Sequence, residues 1–243
     1  LTVGFLSNNT NVAVLIGDDT KITAANITGS AKAITDIWVI TVAASLAAGS
    51  SGASIGGAIT AIDSSNVILM KTGDRVVFTA TDSISLLAEN DQALTLISTS
   101  ASASSGVAVG GTVAVIVIDD TTTARTGSYN TFKAGNEIRL SAADTEKLIN
   151  ILVSVSGSTG TATVAGTLGV VITESATLAQ AGDYNNWETV NGDILILADS
   201  SISQIFIITA LAVSSGQVAA GATVAVYVFN QSVKALTGAE CVF

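Results

Sequence analysis

The sequence predicts an all-β solenoid: a coiled stack of strands built from about four repeats of about 55 residues each, with two rungs per repeat. Three observations predict it. A glycine set five residues ahead of a large apolar side chain recurs at Gly17, Gly73, Gly127, Gly182 and Gly238, spaced 56, 54, 55 and 56. A small-residue turn recurs as SSG at 50–52, SSG at 104–106, STG at 158–160 and SSG at 214–216. A strand glycine recurs at Gly57, Gly111, Gly166 and Gly221. Self-similarity at a fixed period is the signature of stacked repeats, and three independent anchors keep one period.

The chain of 243 residues reads as one repetitive domain, 1–243, in approximate repeats 1–36, 37–92, 93–146, 147–203 and 204–243, the first and last partial. It starts and stops inside copies of the pattern, so the expectation is a piece of a longer repetitive polypeptide. Each repeat has two halves. The first is long and uncharged, as in ALTLISTSASASSGVAVGGTVAVIVI at 93–118. Val107, Val109, Val113, Val115 and Val117 alternate with small residues and then with Ile116 and Ile118, and Val224, Val226 and Val228 repeat the pattern. A period of two means strands. Both faces are apolar or small, so these strands are expected to be covered on both sides. In the second half, Ile138 and Leu140 alternate with Glu137, Arg139 and Ser141, which predicts a half-exposed strand.

Between the halves sits the glycine turn, where a positive φ suits glycine. Five residues on stand Phe78, Phe132, Trp187 and Phe243, with Ile22 in the first copy. Stacked in line they form an internal ladder. With two rungs per repeat the rings lie roughly 9–10 Å apart, and the whole is a rod ~40 Å long.

Composition narrows the chemistry. Asp and Glu number 19 against 9 Lys and Arg, a net charge of −10. Nothing here is a basic footprint for nucleic acid or for anionic membrane surfaces. The chain has no histidine, which excludes a Ser-His-Asp triad, a Cys-His dyad and a His-ligated zinc site. The single cysteine, Cys241, forms no internal disulfide and reads as a small buried apolar residue. Hydrophobic residues make up 49%, enough apolar surface to exclude disorder.

Several side chains invite chemical readings. Asp18–Asp19 and Asp119–Asp120 suggest calcium, but neither pair sits in a D-x-[DN]-x-[DN]-G loop, so both are read as solvated turn residues. Glycoside cleavage needs acids converging in one cleft; Glu174, Asp183 and Glu188 are scattered, and no copy breaks the pattern. Trp38, Tyr129, Tyr184 and Trp187 are the candidate sugar platforms. Residues 205–229 carry no charge, long enough for a membrane span, yet a Ser/Gly turn interrupts the run and its two arms alternate with period two. The sequons at Asn8, Asn26 and Asn230 match the glycan acceptor pattern, a short one that arises easily. No catalytic residue, metal or cofactor is assigned.

The run SGVAVGGTVAVIVIDD, followed by TTTARTGSYNTFKAGNEIRLSA, resembles the repeats of large bacterial surface proteins. Nearest in texture are the leukotoxin-like filamentous adhesins of the type V secretion class. The likeness extends repeat by repeat over nearly the whole chain. It implies a right-handed parallel β-helix, an extracellular location, and a stalk, adhesin or toxin-like fibre. The expected function is therefore a structural or adhesive filament component at the cell surface, without catalysis. Its partners would be other copies or the rest of a longer chain, and host or matrix glycans or proteins, with no nucleic acid and no membrane insertion. The alternatives are a carbohydrate-binding or polysaccharide-cleaving β-helix and a membrane-embedded protein.

Overall fold

The computed structural model describes residues 1–49 and 52–243; Ser50 and Ser51 of the first SSG turn lie outside them. Among the described residues all regular structure is β. In chain order the strands are β1 (Thr2–Ile16), β2 (Lys21–Ala24), β3 (Ile27–Ala47), β4 (Ala53–Thr72), β5 (Val77–Ala80), β6 (Ile84–Ser104), β7 (Val107–Arg125), β8 (Thr131–Ala134), β9 (Ile138–Ser158), β10 (Ala162–Gln180), β11 (Asn186–Thr189), β12 (Ile194–Ser214) and β13 (Val218–Leu236). Strands of 19–21 residues are unusually long, and a chain without proline never has to break a ladder.

Three parallel sheets result, ordered β1-β4-β7-β10-β13, β12-β9-β6-β3 and β11-β8-β5-β2. The two long sheets face each other, and the short one closes the wide end. Phe78 pairs directly with Phe132, and Phe132 with Trp187. Each repeat is therefore a single rung, not two. Strands this long absorb a whole repeat in one circuit. Five strands at about 4.8 Å stack to ~19 Å, while the 21 residues of β6 extend ~70 Å. The molecule is a broad flat slab, not the narrow rod expected from two rungs.

The interior is zoned along the strands. At the wide end sits an aromatic and aliphatic core around Phe78, Phe132 and Trp187. Next comes a polar belt, then a second aliphatic core around Leu94, Ile116, Ile118 and Leu148. Toward the Ser/Gly turns the sheets approach so closely that only small side chains fit. Thr60 donates to Thr41 at 2.8 Å across the gap, and Ser100 and Ser102 donate to Ser154 and Ser156 in the next rung at 3.1 and 3.2 Å. The alternation in β7 thus resolves in an unexpected sense. Ala108, Gly110, Thr112 and Ala114 face inward, while Val107, Val109, Val113 and Val115 face outward. Those outer faces are not covered: Val107 is 36% and Val224 54% exposed.

Register also corrects one glycine anchor. Gly166 pairs with Ala222, and Gly221 pairs with Ala165, so the fourth glycine faces the opposite way from Gly57, Gly111 and Gly166.

The turn glycines have a different cause from positive φ. The left-handed residue lies two positions later and is never glycine: Asp19, Arg75, Tyr129, Tyr184 and Glu240, with φ of 54–60°. What Gly73, Gly127, Gly182 and Gly238 share is position. A Cβ on Gly127 would run into the Asp74 carboxylate and the Gly73 carbonyl of the rung beside it, and a Cβ on Gly182 would hit the Gly127 carbonyl. Where an aspartate follows the glycine, it ties the turns together: Asp18 accepts from the Asp74 amide at 2.9 Å, Asp74 from the Ser128 amide at 2.8 Å, and Asp183 from the Ala239 amide at 2.8 Å. Gly127→Ala is expected to cost roughly 1–3 kcal/mol as overpacking against backbone. Gly17→Ala, which meets nothing within 4 Å, is expected to be neutral; comparing urea midpoints of the two variants checks this.

Candidate functional site

The residues singled out in the sequence come together in three places: two aromatic columns, and a row of Asp119, Glu174 and Asn230 side by side on β7, β10 and β13. Phe78 stacks on Phe132 with ring centroids 4.9 Å apart, Phe132 on Trp187 at 5.2 Å, and Phe243 meets Trp187 edge-on at 5.5 Å. The rings touch because the rungs are adjacent, so no aliphatic rung separates them. Ile22 continues the column beside Phe78. A second column lies outside: Tyr129 stacks on Tyr184 at 4.9 Å, the two rings nearly parallel.

The most unusual group is one the sequence hides. As a pair, Asp119 and Asp120 resemble solvated turn residues, but both lie within β7. Alternation sends Asp119 out and Asp120 in. Asp120, Asp144 and Glu146 are 1%, 2% and 0% exposed and form a belt with Asn66, Asn90 and Gln92 between the two apolar cores. Asp120 accepts from the Asn66 backbone amide at 3.0 Å. The Asn90 amide donates to Asp120 and to Asp144 at 2.9 Å each, bridging the two carboxyls. Ser175 donates to Asp144, and Thr173 reaches Glu146 at 3.5 Å. Glu146 Oε2 has no partner. A signal was available for two of the three: Asp144 and Glu146 share the phase of Ile138 and Leu140 on β9, whereas both phases of β7 are apolar or small and leave the side of Asp120 open.

Burial pushes the Asp120 carboxyl up to about 7, helped by the charge of Asp144 and opposed by the Asn66 and Asn90 donors. Glu146 goes up to about 8, first through burial and then through Asp120 and Asp144. A carboxylate in a medium of low polarity is costly without a countercharge, and no Lys or Arg pairs with these three among the described residues. Chemically, Asp120 and Glu146 make the belt a layer that holds protons near neutral pH. It offers no surface to a polysaccharide, because no carboxyl in it reaches solvent.

Apart from Glu174, which lines one shallow cavity with Asp119 and Asn230, the remaining candidates are dispersed. Asp18 and Asp19 lie at the turn; the Arg75 guanidinium grips Asp19 in two bonds of 2.7 and 2.9 Å and holds its carboxyl below the usual range. Glu174 is exposed on β10 and Glu188 pairs with Lys133 at 3.0 Å. Among the described residues no group of three Asp, Glu or Cys side chains is arranged to hold a metal ion. Trp187 is 1% exposed and is no sugar platform. Tyr129 and Tyr184 turn one face each to the other. Trp38, 66% exposed, stands alone on β3. Asn26 and Asn230 are exposed, while Asn8 donates to Ser64 at 3.3 Å. Cys241 is half-buried, its thiol against the Gly182 carbonyl at 3.1 Å. Among the described residues no helix is long and apolar enough to cross a membrane. Comparison of the chain with protein-family models, with curated proteins and with solved structures finds no match.

Proposed function

We propose that this chain is a structural, adhesive component of an extracellular surface filament and carries out no catalytic step. The observation that supports it best is columnar continuity. Position by position, each long strand pairs in register with its counterpart one repeat away along its whole length, and aromatic, serine and turn columns run through several rungs. Such a stack gains its stability from nearest-neighbour contacts, so it lengthens without a new design. Its ionisable groups support the same reading: Asp120, Asp144 and Glu146 lie inside, and the outer faces are broad sheets. The repeat texture that resembles filamentous adhesins agrees. The partners are further copies or repeats, and host or matrix glycans or proteins.

Electron microscopy with fibre diffraction of the native material tests this. Fibres with an axial spacing of about 4.8 Å per sequence repeat are expected. Isolated globular particles would overturn the filament reading, and glycan-array binding lost in Trp38→Ala or Tyr184→Ala would favour a carbohydrate-binding protein instead.

A further inference from the structure

The two broad outer faces of the slab differ in relief. On the β1-β4-β7-β10-β13 sheet, Gly57, Gly111, Gly166 and Ala222 lie side by side on neighbouring strands. Gly111, Gly166 and Ala222 floor a shallow apolar groove walled by Val113, Leu168 and Val224, and Gly57 continues the row beside the end of Leu1. Glycine within a strand is unfavourable, since it has more backbone freedom to lose and packs nothing. The inward glycines next to them have a reason inside the chain. A Cβ on Gly56 would lie 2.6 Å from the Ala101 carbonyl, and one on Gly110 would run into the Ser156 hydroxyl. The outward ones have no such reason. A Cβ on Gly166 meets nothing within 4 Å, one on Gly111 only the Gly166 carbonyl at 4.0 Å, and one on Gly57 comes nearest to the end of the exposed Leu1 side chain at 3.2 Å. None of the three has a positive φ. The room they leave is outside the molecule, and a strand glycine of this kind marks the close approach of another chain or ligand.

On the opposite face, Ile40, Ile97, Ile151 and Ile207 form one row, with Ile40 64% and Ile207 47% exposed. We infer that the isoleucine row of one copy seats in the glycine groove of the next, so that slabs stack face to face. Row and groove repeat at the same strand spacing of about 4.8 Å, so four isoleucines meet four small residues together. The uncharged part of each face is ~30 Å by ~20 Å, and a pair of copies therefore buries roughly 1,200 Å², the size of a specific interface. Thr60 opposes Thr41 across the interior, which sets groove and row about four residues apart, so successive copies stagger by ~13 Å. Each copy offers a groove on one face and a row on the other, so the contact is head-to-tail and open-ended. A second copy fits this surface better than lipid does, because fluid acyl chains need no matched relief. The inference rests on the assembling-component reading and names the sideways contact of that assembly.

The experiment is sedimentation velocity of the full chain over a concentration series, with circular dichroism beside it. The wild-type chain is expected to associate with rising concentration. Gly111→Val with Gly166→Val fills the groove with a residue that favours strands. It is expected to keep the β spectrum and the denaturation midpoint while weakening association at least about tenfold. Ile97→Ser with Ile151→Ser, on the other face, should weaken it similarly. Valine variants that associate like wild type would overturn the inference, as would a monomeric wild type, including one that binds phosphatidylcholine vesicles. Fibres that persist in the valine variants would sink the sideways contact while leaving the filament reading intact.

Discussion

Raising the pH from about 5 to about 9 is expected to destabilise the fold by on the order of 4 kcal/mol, a loss traceable to two buried carboxyls. Asp120 and Glu146 hold their protons up to about 7 and about 8 in the folded chain, against ordinary values of 3.8 and 4.5. The folded state therefore binds more protons than the unfolded state between those limits, and stability falls with pH wherever that is so. The contribution is complete in acid, below the unfolded values, and is gone once the pH has risen through the folded ones. Each tenfold gain in proton affinity corresponds to about 1.4 kcal/mol, and the two groups share one repulsion, so their contributions do not simply add. Urea midpoints at about pH 5 and about pH 9, read with an unchanged denaturant slope, measure the effect. Glu146→Gln should flatten the alkaline limb, because a neutral amide of the same shape never has to ionise in the belt. A wild-type midpoint that stays level across this range would show that the belt does not hold its protons.

Phe132→Ala is expected to be the most damaging single truncation, at roughly 3–5 kcal/mol for the cavity and about 0.5–1.5 kcal/mol for each lost ring contact. Phe132 is completely buried and touches a ring on either side, Phe78 at 4.9 Å and Trp187 at 5.2 Å. The cavity cannot close easily, because the backbone of each rung is pinned to the rungs beside it by the ladder. Phe243→Ala removes a ring that is 53% exposed and meets Trp187 only by its edge, and should cost under about 1.5 kcal/mol. Thermal and urea unfolding of the two variants makes the comparison. Equal losses would mean that the aromatic column is not a continuous packed element.

The spacing of Gly73, Gly127, Gly182 and Gly238 and the alternation around Val113 and Ile138 were enough by themselves to establish strands, their period and the residues that meet in the aromatic column. These are properties of local periodicity, and period two is a backbone property that survives any tertiary arrangement. Tertiary structure alone decided three things. Alternation is unchanged when a strand is turned over, so it could not say that Ala108 and Gly110 go in while Val107 and Val109 go out. That choice follows from how closely the two sheets approach at the turn end. A period of this length fits one long circuit or two short ones, and only the direct pairing of Phe78 with Phe132 selects one. The chemistry of Asp120 depended on the same question of side. Two adjacent acids look alike in a sequence, but in a strand one faces water and its neighbour faces the core. Only knowing which face is closed turns an ordinary surface acid into a carboxyl that keeps its proton near neutral pH.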